Sequence, residues 1–398
     1  MELTKKQKEG LQTAIERYKN NERYCIISGY AGTGKSTLVK YIVDALPGVN
    51  PELDVVYTSF TGKATQVLAK KGNKNTSTLH KLLFISHPRP DGSFIRMPVP
   101  DIPYKVVVVD EVSMAPKSLM EQLLKYNVYI IGLGDPFQLP PVDKNEDNHL
   151  LANPHVFLDE IMRQEAESEI IQLTMKIRNN EPIPFFKGKE VQVLRESELN
   201  TGMYMWADQI LVATNGTRVQ INNEMRQLLG RGEAPEDGDK VICCRNYWDR
   251  LANNKSPLIN GTIGTIKNSF TSFSKIPGFL CSDGQPKTVG ILCATFEGDC
   301  GESYGGLSMD KKMILEGEKS LDWKTEYRLG KNLKYSSLVP AEFTYAYAIT
   351  THKSQGSEWD KVLVIEERFP FDKEEHARWL YTACTRASEK LVLVRKGQ

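Results

Sequence analysis

The sequence predicts an α/β protein with two alternating helix–strand cores, the second interrupted by a β-rich insertion. Three observations carry this expectation. Short apolar strands alternate with helical stretches from Leu3 to about Val142, the alternation resumes after Phe157, and from 238 to about 340 it gives way to short, Gly-punctuated strands. Buried apolar strands joined by crossover helices form a parallel, doubly wound sheet, because such a sheet is covered on both faces. Ligands of such sheets collect at the carboxyl ends of the strands.

The elements follow in order. MELTKKQKEGLQTAIERYKN reads as an amphipathic charged helix without the apolar centre of a secretory signal. The strand CII (25–27) leads through GYAGTGKS (29–36) into a helix at 36–46, and VVYTS (55–59) leads into a helix at 61–71. In LLFISHPRPDGSFIRMPVPDIP (82–103), Asp91-Gly92 lies between two short extended runs rich in Pro, which predicts a small projecting β-hairpin. VVVVD (106–110), a helix at 116–125 and YIIGLGD (129–135) belong to a first core spanning 1–157.

The second core is expected over 158–237 and 341–398. It has a helix at 168–179, a strand ILVAT (210–214), a helix at 215–229, strands around TYAYAIT (344–350) and KVLVIE (361–366), and a closing helix at 374–386. The intervening 238–340, with GDKVICC, NGTIGTIKNSF and KTVGILCATF, reads as a small β-barrel or sheet. Its polar stretch 301–337 is weakly patterned and predicts no definite element.

With 398 residues the chain can hold two or more domains, and 40% hydrophobic with 25% charged residues is an ordinary globular composition. A net charge of +1 gives no global attraction to a polyanion, so a nucleic-acid partner requires a local basic groove. The seven cysteines show no C-x-x-C or His-flanked spacing, which predicts reduced thiols and no structural zinc. No apolar run is long enough to span a bilayer, so a cytoplasmic protein without a membrane partner is expected.

GYAGTGKS fits G-x-x-x-x-G-K-[ST] in full, between a strand and a helix. Gly29, Gly32 and Gly34 permit the sharp turn and let N–H groups, including those of Thr33 and Thr37, face an anion. Lys35 can reach the β/γ-phosphates of ATP, Ser36 can hold Mg²⁺, and the helix start adds its positive end. VVVVDEVSM (106–114) supplies Asp110 for the metal and Glu111 as general base. Asp135 and Gln138, in GLGDPFQLPPV, would emerge at the same sheet edge, with Gln138 as γ-phosphate sensor; taken by itself that segment reads as a Pro-rich turn that merely ends its strand. Arg163 and Arg386 each stand near an element end, where a guanidinium could cross a cleft to phosphate, or simply form a surface ion pair.

The ordered series GYAGTGKS, TSFTGKATQVL (58–68), TSTLHKLL (76–83), VVVVDEVSM, GLGDPFQLPPV, LDEIMRQ, ITTHKSQGSEWD (349–360) and LYTACTRA (380–387) resembles the superfamily 1 DNA helicases, nearest to RecD-like and phage Dda-like 5′-to-3′ enzymes. The resemblance spans nearly the whole chain. It implies two RecA-like P-loop cores, with a hairpin pin in the first and an SH3-like barrel in the second. It implies that Gln7 contacts adenine, that Tyr381 and Glu358 line the nucleotide site, and that Arg163 and Arg386 act as arginine fingers. It further implies a DNA track of Phe60, Thr61, Lys63, Thr78, His80, Thr351, His352, Lys353 and Gln355, which grips backbone or stacks on bases without reading sequence. Phe94 and His87 are the candidates for a wedge that parts the duplex, and the same hairpin reads equally as a loop cover packed on the core.

The implied partners are single-stranded DNA and single/double-strand junctions, with replication or recombination proteins beyond them, and the expected unit is a monomer. Three other classes compete. A translocase that strips bound proteins without unwinding would use the same residues. A small-molecule P-loop kinase or ATPase would account for GYAGTGKS and DEVS but leaves THKSQGSEWD and the arginines without a role. An idle DNA clamp would not need the intact lysine, serine and carboxylates.

Overall fold

The fold is that of a computed structural model, which describes residues 3–88, 94–140, 149–162, 167–253, 256–280, 286–299, 301–330, 338–368 and 372–395. It separates into two compact units: Met1–Phe84, Pro98–Ala213 and Thr350–Gln398 form one, Ile85–Met97 and Thr214–Ile349 the other. The first α/β sheet and all but one edge strand of the second lie in the first unit.

The chain opens with the helix Lys5–Lys19, capped by Thr4 and Gln7 in a reciprocal capping box. The strands β1 (Tyr24–Gly29), β2 (Val55–Ser59) and β3 (Thr76–Thr78) precede the hairpin strands β4 (Phe84–Pro88) and β5 (Phe94–Pro98). Next come β6 (Val106–Asp110), β7 (Tyr129–Gly134) and β8 (Val156–Leu158). The first sheet has the order β3-β2-β6-β7-β1-β8 and is parallel throughout.

The four valines of β6 show why this run is a strand buried on both faces. Val106 and Val108 pack with Leu38, Val39 and Ile42 of the helix Lys35–Ala45. Val107 and Val109 pack on the opposite face with Leu119, Met120 and Leu123 of the helix Lys117–Leu123. Period-two alternation sends successive side chains to opposite faces, and each buried valine contributes roughly 1.5–3 kcal/mol. The parallel register sets Ser59 beside Asp110 and Ser28 beside Gly134, so the loop after β1, the β6 carboxylates and Asp135 leave the sheet at one edge.

The second sheet contains β9 (Phe186–Lys187), β10 (Val191–Arg195) and β11 (Gln209–Val212). The other unit holds β12 (Lys240–Cys243), β13 (Tyr247–Leu251), β14 (Pro257–Leu258), β15 (Ile263–Leu280), β16 (Pro286–Gly298), β17 (Ser303–Asp310) and β18 (Phe343–Tyr345). The chain then passes through β19 (Ala348–Thr350) to β20 (Trp359–Ile365), the helix Lys373–Cys384 and β21 (Ala387–Arg395). In the second sheet β11-β20-β21-β10 are parallel neighbours, with β9 antiparallel at the edge.

Two expectations change here. TYAYAIT is two strands, because Phe343–Tyr345 pairs antiparallel with β12 while Ala348–Thr350 is a separate strand. The chain also continues past its last helix into β21, inserted between β20 and β10. No Gly or Pro separates that helix from LVLV, so the turn signal that would have exposed the strand is missing.

In the other unit the order β17-β16-β15-β12-β18 is antiparallel, and a bridge from Met309 to Ala341 ties edge strand β17 to the residues leading into β18. The stretch 301–337, without a prediction from sequence, holds β17 and the helices Lys311–Glu316 and Trp323–Gly330; 331–337 lie outside the described residues. β4 and β5 pair as a two-stranded sheet. Their Asp91-Gly92 tip, and the side chains of His87 and Phe94, lie outside the described residues.

Candidate active site

The glycine loop is built against its surroundings. Gly34 has φ of 76°, and a Cβ there would stand 2.5 Å from Gln7 Nε2; a Cβ on Gly29 would meet the Leu158 carbonyl at 2.7 Å. Gln7 is buried, donates from Nε2 to the Thr33 carbonyl at 3.2 Å and accepts the Thr4 N–H at 3.0 Å, so its amide holds the loop. Thr33 Oγ1 donates to the Tyr30 carbonyl at 2.8 Å, and Lys35 Nζ donates to the carbonyls of Gly29 (2.7 Å) and Tyr30 (2.9 Å). These bonds keep the ammonium at the mouth of the loop.

Ser36 and Thr37 in the first turn of the helix Lys35–Ala45 line one cavity with Asp110 and Lys71, about 240 Å³ in volume. The Ser36 hydroxyl and the Asp110 carboxylate are hard oxygen donors of the kind Mg²⁺ takes, so the residues fit that ion. Glu111 occupies the left-handed region at φ 52°, a strained position for a residue with a Cβ, and its N–H donates to Asp110 Oδ1 at 3.0 Å. Burial pushes both carboxyls above their ordinary pKa. Lys35 and Lys71 pull Asp110 back, and the Arg386 guanidinium is the largest opposing influence on Glu111.

Gln138 stands between Glu111 and Arg386. With its amide oriented by the hydrogen-bond network, Nε2 donates to Glu111 Oε2 at 3.2 Å and Oε1 accepts from Arg386 Nη2 at 3.3 Å. Arg386 is buried and donates to the carbonyls of Thr382 (3.1 Å) and Ser357 (3.3 Å) and to Thr385 Oγ1 (3.1 Å). A carboxylate, an amide and a guanidinium from the two sheets thus form one row.

A second connection runs through Tyr381, whose buried hydroxyl donates to Asp135 Oδ2 at 2.6 Å and accepts the loop N–H of Ala31 at 2.9 Å. Burial raises its pKa well above the ordinary tyrosine value. The segment after Asp135 is held from the second sheet's side: Thr382 Oγ1 accepts the Leu139 N–H (3.0 Å), Gln355 donates to the Leu139 carbonyl (2.8 Å) and Arg378 donates to the Pro136 carbonyl (2.8 Å). Sequence reasoning missed Thr382 and Arg378. Their only signal is their place on the helix that also carries Tyr381 and leads to Arg386.

The residues implied for the DNA track divide into groups. The rings of Phe60 and His80 lie 5.6 Å apart, with Phe84 6.4 Å beyond, in an aromatic row. Thr61 and Thr78 cap the helices Gly62–Lys70 and Leu79–Leu83, accepting from Ala64 N and Lys81 N. His352 and Lys353 are half-buried, and burial lowers the His352 pKa. Thr351 and Gln355 are buried, with their side chains donating to the Val212 and Leu139 carbonyls, so the structure uses them internally. Glu358 is half-exposed and pairs with Lys71 at 3.8 Å. Arg163 and the Lys63 side chain lie outside the described residues.

A nucleotide loop from one parallel sheet, facing an arginine delivered by a second, is the plan of the P-loop nucleoside triphosphatases with paired RecA-like layers. Residues 2–198 match a family described as an AAA domain, and residues 345–394 match the UvrD-like helicase C-terminal domain. The chain is similar to the ATP-dependent RecD2 DNA helicase of Deinococcus radiodurans, at 27% identity over 421 residues, 98% of this chain and 49% of that one. It is also similar to the ATP-dependent DNA helicase Dda of Enterobacteria phage T4, at 33% identity over 152 residues, 37% of this chain and 34% of that one. It therefore spans about half the length, or less, of these relatives. The crystal structure of a Bacteroides Pif1 helicase with ADP-AlF3 and ssDNA shares the fold, with a TM-score of 0.52 at 17% identity, covering 99% of this chain and 92% of that one. These matches and the motif series identify the chain as a relative of the superfamily 1B helicases, of RecD-like and Dda-like type.

Proposed function

We propose that the chain is an ATP-dependent DNA helicase that translocates 5′ to 3′ on single-stranded DNA and unwinds duplex. The observation that carries this reading is the row Glu111–Gln138–Arg386, which joins a hydrolytic carboxylate of the first sheet to a guanidinium of the second through one amide. Lys35 and the loop N–H groups bind the phosphates, Glu111 accepts the proton of the attacking water, Gln138 senses the γ-phosphate, and Arg386, with Arg163, stabilises transition-state charge. Ser36 and Asp110 would hold Mg²⁺, which when bound would supply positive charge to the phosphates. Glu358 and Gln7 complete the nucleotide side.

The two RecA-like cores, 1–157 and 158–237 with 341–398, would close on ATP and reopen after hydrolysis, moving one DNA grip relative to the other. A closure driven by nucleotide requires contacts that differ between the states, and Tyr381 and Gln138 are the groups best disposed to make them. Phe60, Thr61, Lys63, Thr78 and His80 would form one grip, and His352 and Lys353 the other, with the buried Thr351 and Gln355 holding the backbone of that second grip in place rather than touching DNA with their side chains. The hairpin 82–103 is proposed as the duplex wedge, with His87 or Phe94 at work, and the β-rich segment 238–340 as an SH3-like barrel; the Met309–Ala341 bridge between its edges supports a barrel. A cytoplasmic monomer acting on strand junctions, alongside replication or recombination proteins, completes the proposal.

The test is ATP hydrolysis with and without single-stranded DNA, beside unwinding of duplexes carrying a 5′ or a 3′ tail. Stimulation with unwinding from the 5′ tail alone is expected. Stimulation without unwinding from either tail would replace helicase by translocase. Hydrolysis indifferent to DNA would overturn the reading.

A further inference from the structure

Tyr30 occupies the first free position of GYAGTGKS, where the motif prescribes no side chain. Its ring is clamped from two directions. The Arg178 guanidinium, at the end of the helix Glu169–Arg178, lies over it at 3.7 Å from the centroid, and Phe157 meets it edge-on at 5.4 Å and 83°. The backbone of the same residue is a junction of the loop, since its carbonyl accepts both Thr33 Oγ1 and Lys35 Nζ, and the next N–H goes to Tyr381. Fixing the ring therefore fixes the carbonyl that positions the phosphate-binding lysine.

We infer that Arg178 is a positioning residue that presets the phosphate-binding loop through a cation–π contact with Tyr30. This assigns the loop three anchors: Gln7 at Thr33, Tyr381 at Ala31 and Arg178 at Tyr30. A guanidinium over an aromatic face is favourable beyond its area, more so when partly shielded from water, and both residues are only half-exposed. A loop held in advance loses less conformational freedom when nucleotide binds, so the contact acts on affinity and not on the chemical step. The inference rests on the nucleotide-hydrolase reading of the site.

The test uses the full chain and two readouts: direct binding of a fluorescent ADP analogue without DNA, and KM and kcat for ATP with saturating single-stranded DNA. Arg178→Ala and Tyr30→Leu are each expected to weaken nucleotide binding and raise KM about threefold to tenfold, with kcat within twofold. Tyr30→Phe, which keeps the ring, should stay within twofold of the parent, and Tyr30→Leu with Arg178→Ala should be no worse than the stronger single variant. Additive effects in the double variant, or a kcat loss in Arg178→Ala that persists without the Tyr30 ring, would overturn the inference in favour of direct phosphate contact. A lower melting temperature with unchanged nucleotide affinity would also overturn it, leaving Arg178 a packing residue. If the parent chain binds nucleotide but does not hydrolyse it, the hydrolase reading fails while the binding arm still decides the role of Arg178.

Discussion

Replacing Arg386 by Ala separates chemistry from architecture. The guanidinium is 4% exposed and donates to two carbonyls and a hydroxyl at 3.1–3.3 Å, besides Gln138. Removing it takes the donor from the buried Ser357 carbonyl, while the Thr382 carbonyl keeps the Thr385 hydroxyl at 2.9 Å, a loss of roughly 1–3 kcal/mol for the one orphaned group. Against a total stability of about 5–15 kcal/mol the variant stays folded at 25 °C with a lowered melting temperature. An arginine finger contributes about 10³-fold or more to turnover, so kcat should fall by about three decades, roughly 4 kcal/mol, while nucleotide binding changes little.

The same substitution has a pH signature. In its proposed role as base, Glu111 works only when ionised; burial raises its pKa, so activity should fall with decreasing pH earlier than a surface glutamate would allow. Arg386 opposes that rise, so Arg386→Ala should shift the acid limb to still higher pH. Arg386→Lys, which keeps charge but loses the planar fork, should recover the limb more than the rate. The assay is DNA-stimulated ATP turnover from pH 5 to 9, with melting curves and fluorescent-nucleotide binding. A folded variant with kcat within threefold of the parent would refute the reasoning, as would full recovery of rate at high pH alone.

Lys35→Ala should abolish ATP turnover yet retain single-strand binding by fluorescence anisotropy; undiminished turnover would remove the loop assignment. Tyr381→Phe deletes the hydroxyl between Ala31 and Asp135 and should cost about 1–3 kcal/mol in denaturant unfolding, with weaker nucleotide binding. Phe60→Ala should weaken single-strand binding by about 1–3 kcal/mol, the worth of one base stack, with basal hydrolysis unchanged; equal affinity would take the aromatic row out of the DNA track.

The sequence carried the first core almost completely, because each of its apolar strands is followed by a helix and GYAGTGKS and VVVVDE close the motif at one sheet edge. It carried less of the second. β10 is a five-residue strand without strong flanking turns, and β21 follows its helix without a breaker. The resemblance makes the polar residues of TTHKSQG DNA contacts, yet Thr351 and Gln355 are buried because their hydroxyl and amide satisfy main-chain carbonyls, a partner no sequence pattern displays. Tyr381 was accessible only through resemblance, since its hydroxyl acts on residues 246 and 350 positions away. The Tyr30–Arg178 contact was invisible for the same reason: it joins a position the motif leaves free to a helix end far along the chain.

The place of β21 bears on how the molecule comes into being. Its residues 387–395 insert between β20 and β10, and among the described residues the other strand paired with β10 is the two-residue β9. On the ribosome, a nascent chain that already carries the glycine loop, Asp110 and Glu111 still lacks the strand that closes its second sheet, and Arg386 emerges immediately before that strand. In order of synthesis the arginine side of the proposed site thus follows its loop side, and a chain interrupted between Glu111 and Arg386 would carry the loop and the carboxylates without the guanidinium that faces them.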